Sequence, residues 1–112
     1  MKKKRSVCPI ACALDILGDK WTLLIIRDFF AGKQKYSEFL QSPEKISTNI
    51  LSARLKELVE AGVIVQSRKS KETGKATYAL SEMGNALYPL LESVANWSLE
   101  HIKGTEKIIA VK

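Results

Sequence analysis

The chain has 112 residues, of which 46% are apolar, and a formal net charge of +6. A chain of this length can bury one core but not two, and its apolar content is too high for a disordered protein. No apolar run approaches the roughly 18 residues of a membrane span, and the basic start at residues 2–5 lacks the uninterrupted apolar core of a signal peptide. These features exclude disordered, membrane-spanning and exported classes, and we expect one cytoplasmic domain over residues 1–112.

Positive charge is concentrated at the start of the chain and in one later segment. Residues 1–12 carry a net charge of +4, residues 62–78 carry +3, and residues 79–102 carry −3. Each phosphate that a lysine or arginine neutralises releases a counterion, so a localised basic surface favours binding to a polyanion. The basic arm at residues 1–6 could bind a polyanion in this way, and the alternative is that it is only a solvated tail.

The start of the chain predicts two helices. Pro9 suits the first position of a helix, which makes Cys8 its N-cap and lets the helix run to Gly18. Asp19 is a good cap for a second helix over residues 20–31. This second helix is the expected centre of the core, with apolar side chains at Trp21, Leu24, Ile25, Phe29 and Phe30.

The next two helices predict a helix-turn-helix. A short helix capped near Ser37 should bury Phe39 and Leu40 and end around residues 42–43. After a brief connection, a second helix opens at residues 46–49. In such units the second helix enters the major groove of DNA while the first braces it. The expected buried stripe of the second helix is Leu51, Leu55, Leu58 and Val59.

The opposite face of that second helix is small and polar. At about 100° per residue, it presents Ser47, Thr48, Asn49, Ser52, Ala53 and Lys56. Small side chains let a helix approach base edges, and Asn, Ser, Thr and Lys can reach base donors, base acceptors or flanking phosphates. We therefore predict a recognition helix, and the alternative is an ordinary amphipathic helix whose polar face meets water.

A β-hairpin follows the predicted recognition helix. Gly62 ends the helix, a β-branched strand runs over residues 63–68, and residues 77–80 can pair with it. The hairpin tip combines a turn glycine with positive side chains, which fits either a DNA contact or a solubilising loop. With the turn before the short helix, it supplies the basic DNA-binding candidates Lys35, Arg68, Lys69, Lys71 and Lys75. The predicted fold class is mainly α (α+β), a winged helix-turn-helix with a small β-hairpin wing.

The last predicted helix begins at Ser81, and Pro89 should kink it or start it afresh. It carries an apolar stripe at helical spacing, namely Leu87, Leu90, Leu91, Val94 and Trp97. A stripe this long exceeds what a small core can cover, which favours a twofold homodimer over packing within one chain. Symmetric dimers also suit two DNA half-sites about one helical turn apart. Residues 103–112 form a C-terminal tail.

Several short motifs stand in a specific order and spacing. They are Cys8-Pro9, Leu17-Gly18-Asp19-Lys20-Trp21-Thr22, Tyr36-Ser37-Glu38-Phe39-Leu40, Ile46-Ser47, Leu51-Ser52-Ala53-Arg54-Leu55-Lys56-Glu57-Leu58, Gly62-Val63-Ile64, Tyr78-Ala79-Leu80-Ser81-Glu82-Met83-Gly84 and Trp97. In this order they resemble the HxlR-type bacterial winged-helix regulators over about residues 7–98. One segment departs from that pattern, because Gly74-Lys75-Ala76 stands where relatives usually carry a proline-containing wing.

The resemblance implies a dimeric transcription factor. Its first and last helices would form the dimer interface, and its fourth helix and wing would bind double-stranded operator DNA. The predicted interface residues are Leu14, Leu87, Leu91, Val94 and Trp97.

Cys8 is the candidate for chemistry. As a helix N-cap beside a basic arm, its thiolate would meet positive charge, which favours attack on oxidants or electrophiles. Relatives use the cysteine of a Cys-Pro pair as such a sensor, which implies a small electrophile or oxidant as inducer. Cys12 is either a small core residue or a resolving thiol. A Cys8–Cys12 bridge within one helix would distort its first turn, so a bridge between subunits is as plausible, and the alternative for Cys8 is an inert cap.

The sequence predicts neither an enzyme nor a metal protein. Two cysteines and His101 lack the number and paired spacing of zinc ligands. Redox Cys-x-x-Cys pairs, nucleophile elbows and glycine-rich phosphate loops are absent from the sequence. We therefore expect no catalysis and no cofactor. The competing function is a winged-helix module that binds protein instead of DNA.

Overall fold

The computed structural model describes residues 5–107, so predictions for residues 1–4 and 108–112 lie outside the described part. Within that part, helices and strands follow the order predicted for a winged helix-turn-helix. They are α1 (Pro9–Leu17), α2 (Thr22–Phe30), α3 (Tyr36–Phe39), α4 (Thr48–Glu60), β1 (Ile64–Gln66), β2 (Tyr78–Leu80), α5 (Glu82–Asn85) and α6 (Tyr88–His101). None of these helices is long and apolar enough to cross a membrane. The predicted fold class is confirmed.

Helix α2 lies at the centre of the fold, as predicted, and contacts α1, α6 and β2. Ile25, Ile26 and Phe29 on α2 are buried, and the Phe29 ring packs against the Phe39 ring of α3 with a centroid distance of 4.7 Å. The prediction had omitted Ile26, which is fully buried because α2 is covered from several sides. The remaining buried apolar side chains are Leu17, Ile46, Leu51, Leu55, Leu58, Val63, Ile64 and Leu91.

Asp19 joins the start of α2 to the middle of α4. Its Oδ1 accepts hydrogen bonds from the backbone amides of Trp21 and Thr22 at 2.8 and 2.9 Å, and its Oδ2 accepts one from the Thr22 hydroxyl. Because these bonds close a turn first, α2 begins at Thr22 and not at residue 20 as predicted. The Nε of Arg54 on α4 lies 3.2 Å from Asp19 Oδ1. Burial raises the pKa of Asp19, but the hydrogen bonds outweigh burial and lower that pKa below 3.8.

An ionic cluster around the buried Asp28 joins the end of α2 to the loop before α4, with Glu44 at its exposed edge. Arg27 donates two hydrogen bonds of 2.8 Å to the Glu44 carboxylate and two more to Asp28. The Ser42 hydroxyl also donates to Asp28, and Lys33 Nζ lies 3.5 Å from the same carboxylate. The hydrogen bonds from Arg27 lower the pKa of Glu44 against the opposing effect of burial. Removing one partner would leave a buried charge unpaired, so the cluster holds the α3–α4 connection in one place.

Helix α3 begins at Tyr36, earlier than the start near Ser37 that was predicted. Its cap is the Glu38 side chain, whose Oε1 accepts hydrogen bonds from the amides of Gln34 and Lys35 at 3.0 and 2.8 Å. These two bonds lower the pKa of Glu38. The helix ends at Phe39 and not around residues 42–43 as predicted, because Ser42 and Glu44 form the contacts of the ionic cluster.

Strands β1 and β2 pair antiparallel, with Gln66 opposite Tyr78 at the far end. The predicted strand over residues 63–68 is shortened to β1. The Ser67 amide still donates a 2.8 Å hydrogen bond to the Thr77 carbonyl, but the Thr77 amide donates to the Ser67 hydroxyl and not to its carbonyl. The Ser67 hydroxyl accepts a 2.8 Å hydrogen bond from the Thr77 amide and lies 2.9 Å from the Thr77 hydroxyl. The hairpin therefore continues beyond its strands through backbone and side-chain hydrogen bonds between Ser67 and Thr77.

The predicted last helix is divided into α5 and α6. Ser81 caps α5, and its hydroxyl accepts a 3.2 Å hydrogen bond from the Gly84 amide. The chain turns at residues 86–87, and α6 begins at Tyr88 with Pro89 in its first turn. Of the two predicted effects of Pro89, a fresh helix start is confirmed.

Gly84 allows α5 to lie directly against the start of β1. An added Cβ at this position would overlap the Val63 carbonyl oxygen and would lie 2.9 Å from Leu80 Cδ2. The Ser81 hydroxyl fixes the same approach, since it lies 2.6 Å from the Gly62 carbonyl oxygen and 2.9 Å from that of Val63. A side chain at position 84 would therefore push α5 away from the hairpin.

Gly84→Ala is expected to lower the free energy of unfolding by about 1–3 kcal/mol, because the added methyl group meets backbone that cannot easily move. Urea unfolding followed by circular dichroism measures the change. Asn85→Ala, in the same helix and exposed, is the matched control and should alter stability by less than about 0.5 kcal/mol. Equal stability of Gly84→Ala and wild type would show that α5 does not lie this close to β1.

Candidate nucleic-acid interface

The predicted recognition helix is α4, which is buried on one side and exposed on the other. Leu51, Leu55 and Leu58 are buried, and Val59 is half-buried. Ser47 is the N-cap, and its hydroxyl accepts a 3.3 Å hydrogen bond from the Ile50 amide. The predicted reading positions are all exposed, namely Ser47, Thr48, Asn49, Ser52, Ala53 and Lys56. The predicted reading positions are thus polar or small and carry only short side chains apart from Lys56.

Tyr36 of α3 borders this exposed face and was not predicted as a site residue. Its hydroxyl donates a 3.0 Å hydrogen bond to the Thr48 carbonyl and lies 3.0 Å from Ser52 Oγ. Helical periodicity does not relate residues on different helices, so pattern reasoning had no means of pairing them. The sequence offered one indication, a tyrosine on the helix that precedes α4. Tyrosine hydroxyls that are shielded from water usually find a hydrogen-bond partner, and α4 is the neighbouring element that could supply it.

Arg54 holds the flank of α4 and was also not predicted. Its guanidinium contacts Asp19 at 3.2 Å and Glu57 at 3.0 Å. The i,i+3 spacing to Glu57 is visible in the sequence, whereas the contact with Asp19 depends on how α2 and α4 pack. Because two carboxylates occupy it, Arg54 orients the helix and does not act as a free cation.

The wing, defined as residues 67–77, is closed by its own backbone. The Gly74 amide donates a 2.7 Å hydrogen bond to the Ser70 carbonyl, and the Ser70 amide donates a 2.9 Å bond to the Lys75 carbonyl. Gly74 has a φ of +69°, a conformation that residues with a Cβ rarely adopt. The segment that departs from the proline-containing pattern therefore closes the wing with a glycine turn.

The basic side chains predicted to bind DNA are exposed. Four of them lie in the wing, one on α4 and one before α3, namely Arg68, Lys69, Lys71, Lys75, Lys56 and Lys35. Between residues 5 and 107, none of the six forms an ion pair with a carboxylate. Lys35 forms an antiparallel bridge with Thr77, and the Tyr78 amide donates a 2.8 Å hydrogen bond to the Gln34 carbonyl. The structure thus brings Lys35 to the base of the wing.

A second exposed surface is apolar and lies on α1 and α6. Of the predicted interface residues, Leu14, Val94 and Trp97 are exposed, the last to 60%. Two further apolar side chains extend this surface, Ile10 on α1, which is 72% exposed, and Leu90 on α6. We call these five side chains the apolar patch.

Two predicted interface residues contact the core. Leu91 is buried in the core, and Leu87 is half-buried against it. The reason is that α6 packs on α2, so one side of its apolar stripe is already covered within the chain. The prediction that Leu91 faces a partner is therefore corrected, because its side chain is buried within the chain, whereas the half-buried Leu87 stays a predicted interface residue. The outward side of the stripe remains available to a partner.

Cys8 and Cys12 are free thiols near the start of α1. Cys8 is the N-cap as predicted and is exposed, but its thiol makes no capping hydrogen bond. The Cys8 amide donates to Ser6 Oγ at 3.0 Å, and the half-buried Cys12 thiol donates to the Ser6 carbonyl at 3.3 Å. Arg5 of the basic arm pairs with Asp15 and not with a thiol.

Comparisons with known proteins agree with this fold. The profile of the HxlR-like helix-turn-helix family matches residues 16–106. YdeP of Bacillus subtilis strain 168, named an uncharacterized HTH-type transcriptional regulator, is 30% identical over 105 residues, covering 94% of this chain and 82% of YdeP. The crystal structure of PA1607 matches with a TM-score of 0.84 and 36% identity, covering 97% of this chain and 77% of PA1607. The reduced form of the redox regulator HypR matches with a TM-score of 0.75 and 26% identity, covering 83% of this chain and 92% of HypR. The chain therefore belongs to the HxlR-like helix-turn-helix family of transcriptional regulators.

Proposed function

We propose that this transcriptional regulator binds operator DNA as a homodimer, with α4 in the major groove and the wing on the adjacent backbone. The observation that carries the proposal is the exposed polar face of α4 next to the exposed, unpaired cations of the wing. Helix-turn-helix proteins read bases with the second helix of the unit and set their register through phosphate contacts.

The side chains on α4 suit distinct parts of the groove. The Asn49 amide can pair with adenine N6 and N7, and Ala53 is short enough to let α4 approach a thymine methyl group. Lys56 can reach a guanine or a phosphate. Phosphate neutralisation would come from the cations that flank the helix, namely Lys35, Arg68, Lys69, Lys71 and Lys75.

The alternative is that the same face binds protein instead of DNA. Protein interfaces depend mainly on buried aromatic, arginine and other large anchor side chains. The reading positions of α4 contain no aromatic or large apolar residue. This composition supports DNA as the partner of α4.

Asn49→Ala should relax base preference by about 1–3 kcal/mol at one position of each half-site, because a base contact is lost. Lys71→Ala and Lys75→Ala should weaken all sequences alike and flatten the dependence of affinity on salt. Fluorescence anisotropy with an operator selected from genomic DNA, measured at several salt concentrations, checks both. Lys103→Ala, which removes an exposed lysine after α6, is the charge-matched control and should leave binding unchanged. Salt-independent binding by wild type would favour the protein-docking alternative.

The apolar patch supports the homodimer. On α6, Leu90, Val94 and Trp97 recur at the i, i+4, i+7 spacing of one helical face, and Ile10 and Leu14 do the same on α1 at i, i+4. Monomeric proteins rarely expose large contiguous apolar surfaces, and a twofold axis buries such a face against its own copy. We place the dimer interface on these two helices.

Light scattering at micromolar concentration should give a mass of twice 12.5 kDa for wild type. Trp97→Asp should give the monomer mass, because a carboxylate would be buried without a partner. Val65→Asp changes an equally exposed apolar residue outside the patch, on β1, and should remain dimeric. A wild-type monomer would contradict the proposed interface.

Cys8 supports a response to oxidants or electrophiles. It is exposed at the start of α1, next to Val7 and close in sequence to Ile10 of the apolar patch. HypR, to which this chain is similar, is named a redox regulator. We propose that modification of Cys8 changes the angle between subunits and so the spacing of the two recognition helices, which must match half-sites about 34 Å apart.

Treatment with diamide or a quinone is expected to change operator affinity of wild type by about 5- to 150-fold, the usual range of allosteric coupling. Cys8→Ser should keep binding and lose this response. Cys12→Ser is the matched control. It should respond if Cys12 is a core residue and lose the response if Cys12 is the resolving thiol. Unchanged affinity of wild type whose Cys8 is shown by mass spectrometry to be modified would leave Cys8 as only a helix cap.

A further inference from the structure

We propose that Tyr36 fixes the hydrogen-bonding polarity of Ser52, so that Ser52 faces DNA as an acceptor and selects a base that carries an amino group. The inference rests on the proposed function, because it assigns a role within the reading face of α4. Tyr36 is a positioning residue in this proposal, since it acts through Ser52 and need not touch DNA.

A proton count gives the polarity of the pair. The Tyr36 hydroxyl has one proton, and its 3.0 Å partner, the Thr48 carbonyl, can only accept a hydrogen bond. The phenolic proton is therefore committed to Thr48. The 3.0 Å contact between Tyr36 and Ser52 must then use the proton of Ser52, which donates to the phenolic oxygen. The Ser52 hydroxyl can then only accept a hydrogen bond from a group outside the protein.

The position of Ser52 makes this polarity relevant to base recognition. Ser52 is exposed and lies one turn after Asn49 and one turn before Lys56. Tyr36 is half-buried and borders, with Ser52 and Lys56, a shallow groove between α4 and the hairpin. The phenol therefore braces the serine from the protein side while the outer side of Ser52 Oγ stays open.

The major groove offers both donors and acceptors to a serine. A free hydroxyl can donate to guanine O6 or N7, adenine N7 or thymine O4, and it can accept from adenine N6 or cytosine N4. A serine whose proton is already engaged can only accept. Ser52 would thus contact an exocyclic amino group of adenine or cytosine and gain nothing from a base acceptor.

The test uses base analogues in the operator selected from genomic DNA. Ser52→Ala first identifies the base pair at which preference is lost. At that pair, adenine is replaced by purine or cytosine by 2-pyrimidinone, which deletes the amino group. A second duplex replaces the purine of the pair by its 7-deaza analogue, which deletes the N7 acceptor. Affinities of each protein for each duplex are measured by fluorescence anisotropy.

Deleting the amino group should weaken wild type by about 3- to 10-fold more than it weakens Ser52→Ala, which is the effect of one hydrogen bond. The 7-deaza duplex should show no such difference. In Tyr36→Phe the serine proton is released, so Ser52 can also donate, and the variant should become sensitive to the 7-deaza substitution. Tyr88→Phe removes a phenol on α6, outside the reading face, and should behave as wild type.

Three results would overturn the inference alone, and a fourth would overturn it together with the proposed function. Coupling of Ser52 to the 7-deaza position would show that Ser52 donates to DNA. Insensitivity of Tyr36→Phe to the 7-deaza duplex, as in wild type, would show that Tyr36 does not set the polarity. A Ser52→Ala variant that keeps every base preference, while Asn49→Ala loses one, would leave the proposed function standing and remove only this inference. If wild type selects no sequence, the proposed function itself is wrong and the inference falls with it.

Discussion

Burial of the leucine stripe on α4 is the constraint on which the candidate DNA-binding surface depends. Leu51, Leu55 and Leu58 are spaced for one side of a helix and are almost completely buried. Burying a leucine stabilises a fold by about 1.5–3 kcal/mol. Turning α4 about its axis would expose all three leucines and lose this stabilisation for each of them. The polar face is directed outward because the opposite face cannot leave the core. The exposure of Asn49 and Lys56 is thus a consequence of packing on the other side of the same helix.

Apolar burial sets the rotation of α4 but not its tilt or its position along the axis, because hydrophobic contact is not directional. Polar contacts from three other parts of the chain supply that direction. Asp19 at the start of α2 reaches Arg54, Tyr36 of α3 reaches the Thr48 carbonyl, and the ionic cluster around Arg27 fixes the loop that leads into the helix. Asp28 in this cluster is buried, so losing its partner costs more than breaking an exposed ion pair, whereas the contacts of Arg54, Tyr36 and Glu44 are partly exposed and contribute less. Helix α4 is therefore held at its start, at its middle and through the loop before it.

The two candidate surfaces of the molecule are built on different elements, and one helix, α2, contacts elements of both. The polar face and the wing belong to α4 and the hairpin, whereas the apolar patch belongs to α1 and α6. Helix α2 contacts α1, α6 and β2, so it is the rigid element common to both surfaces. Cys8 begins α1, and a change in how α1 meets a second subunit would alter the relation between two copies of α4 without any rearrangement inside the core. The proposed response to oxidants needs only this rigid-body change.

The sequence by itself determined the elements whose causes are local. The start of α1 after Cys8 follows from Pro9, the cap at Ser81 and the fresh start at Pro89 follow from side chains next to the backbone they influence, and the leucine stripe identified the buried side of α4. Where two local candidates competed, prediction chose wrongly, as at Ser37, because Glu38 makes the stronger cap for α3. Only the tertiary structure decided which surface each helix covers: it turned Leu91 inward, joined Asp19 to Arg54, and placed the Tyr36 hydroxyl against Ser52. The physical reason is that these contacts join groups on separate elements, whose distances depend on packing angles that no periodicity in the sequence encodes.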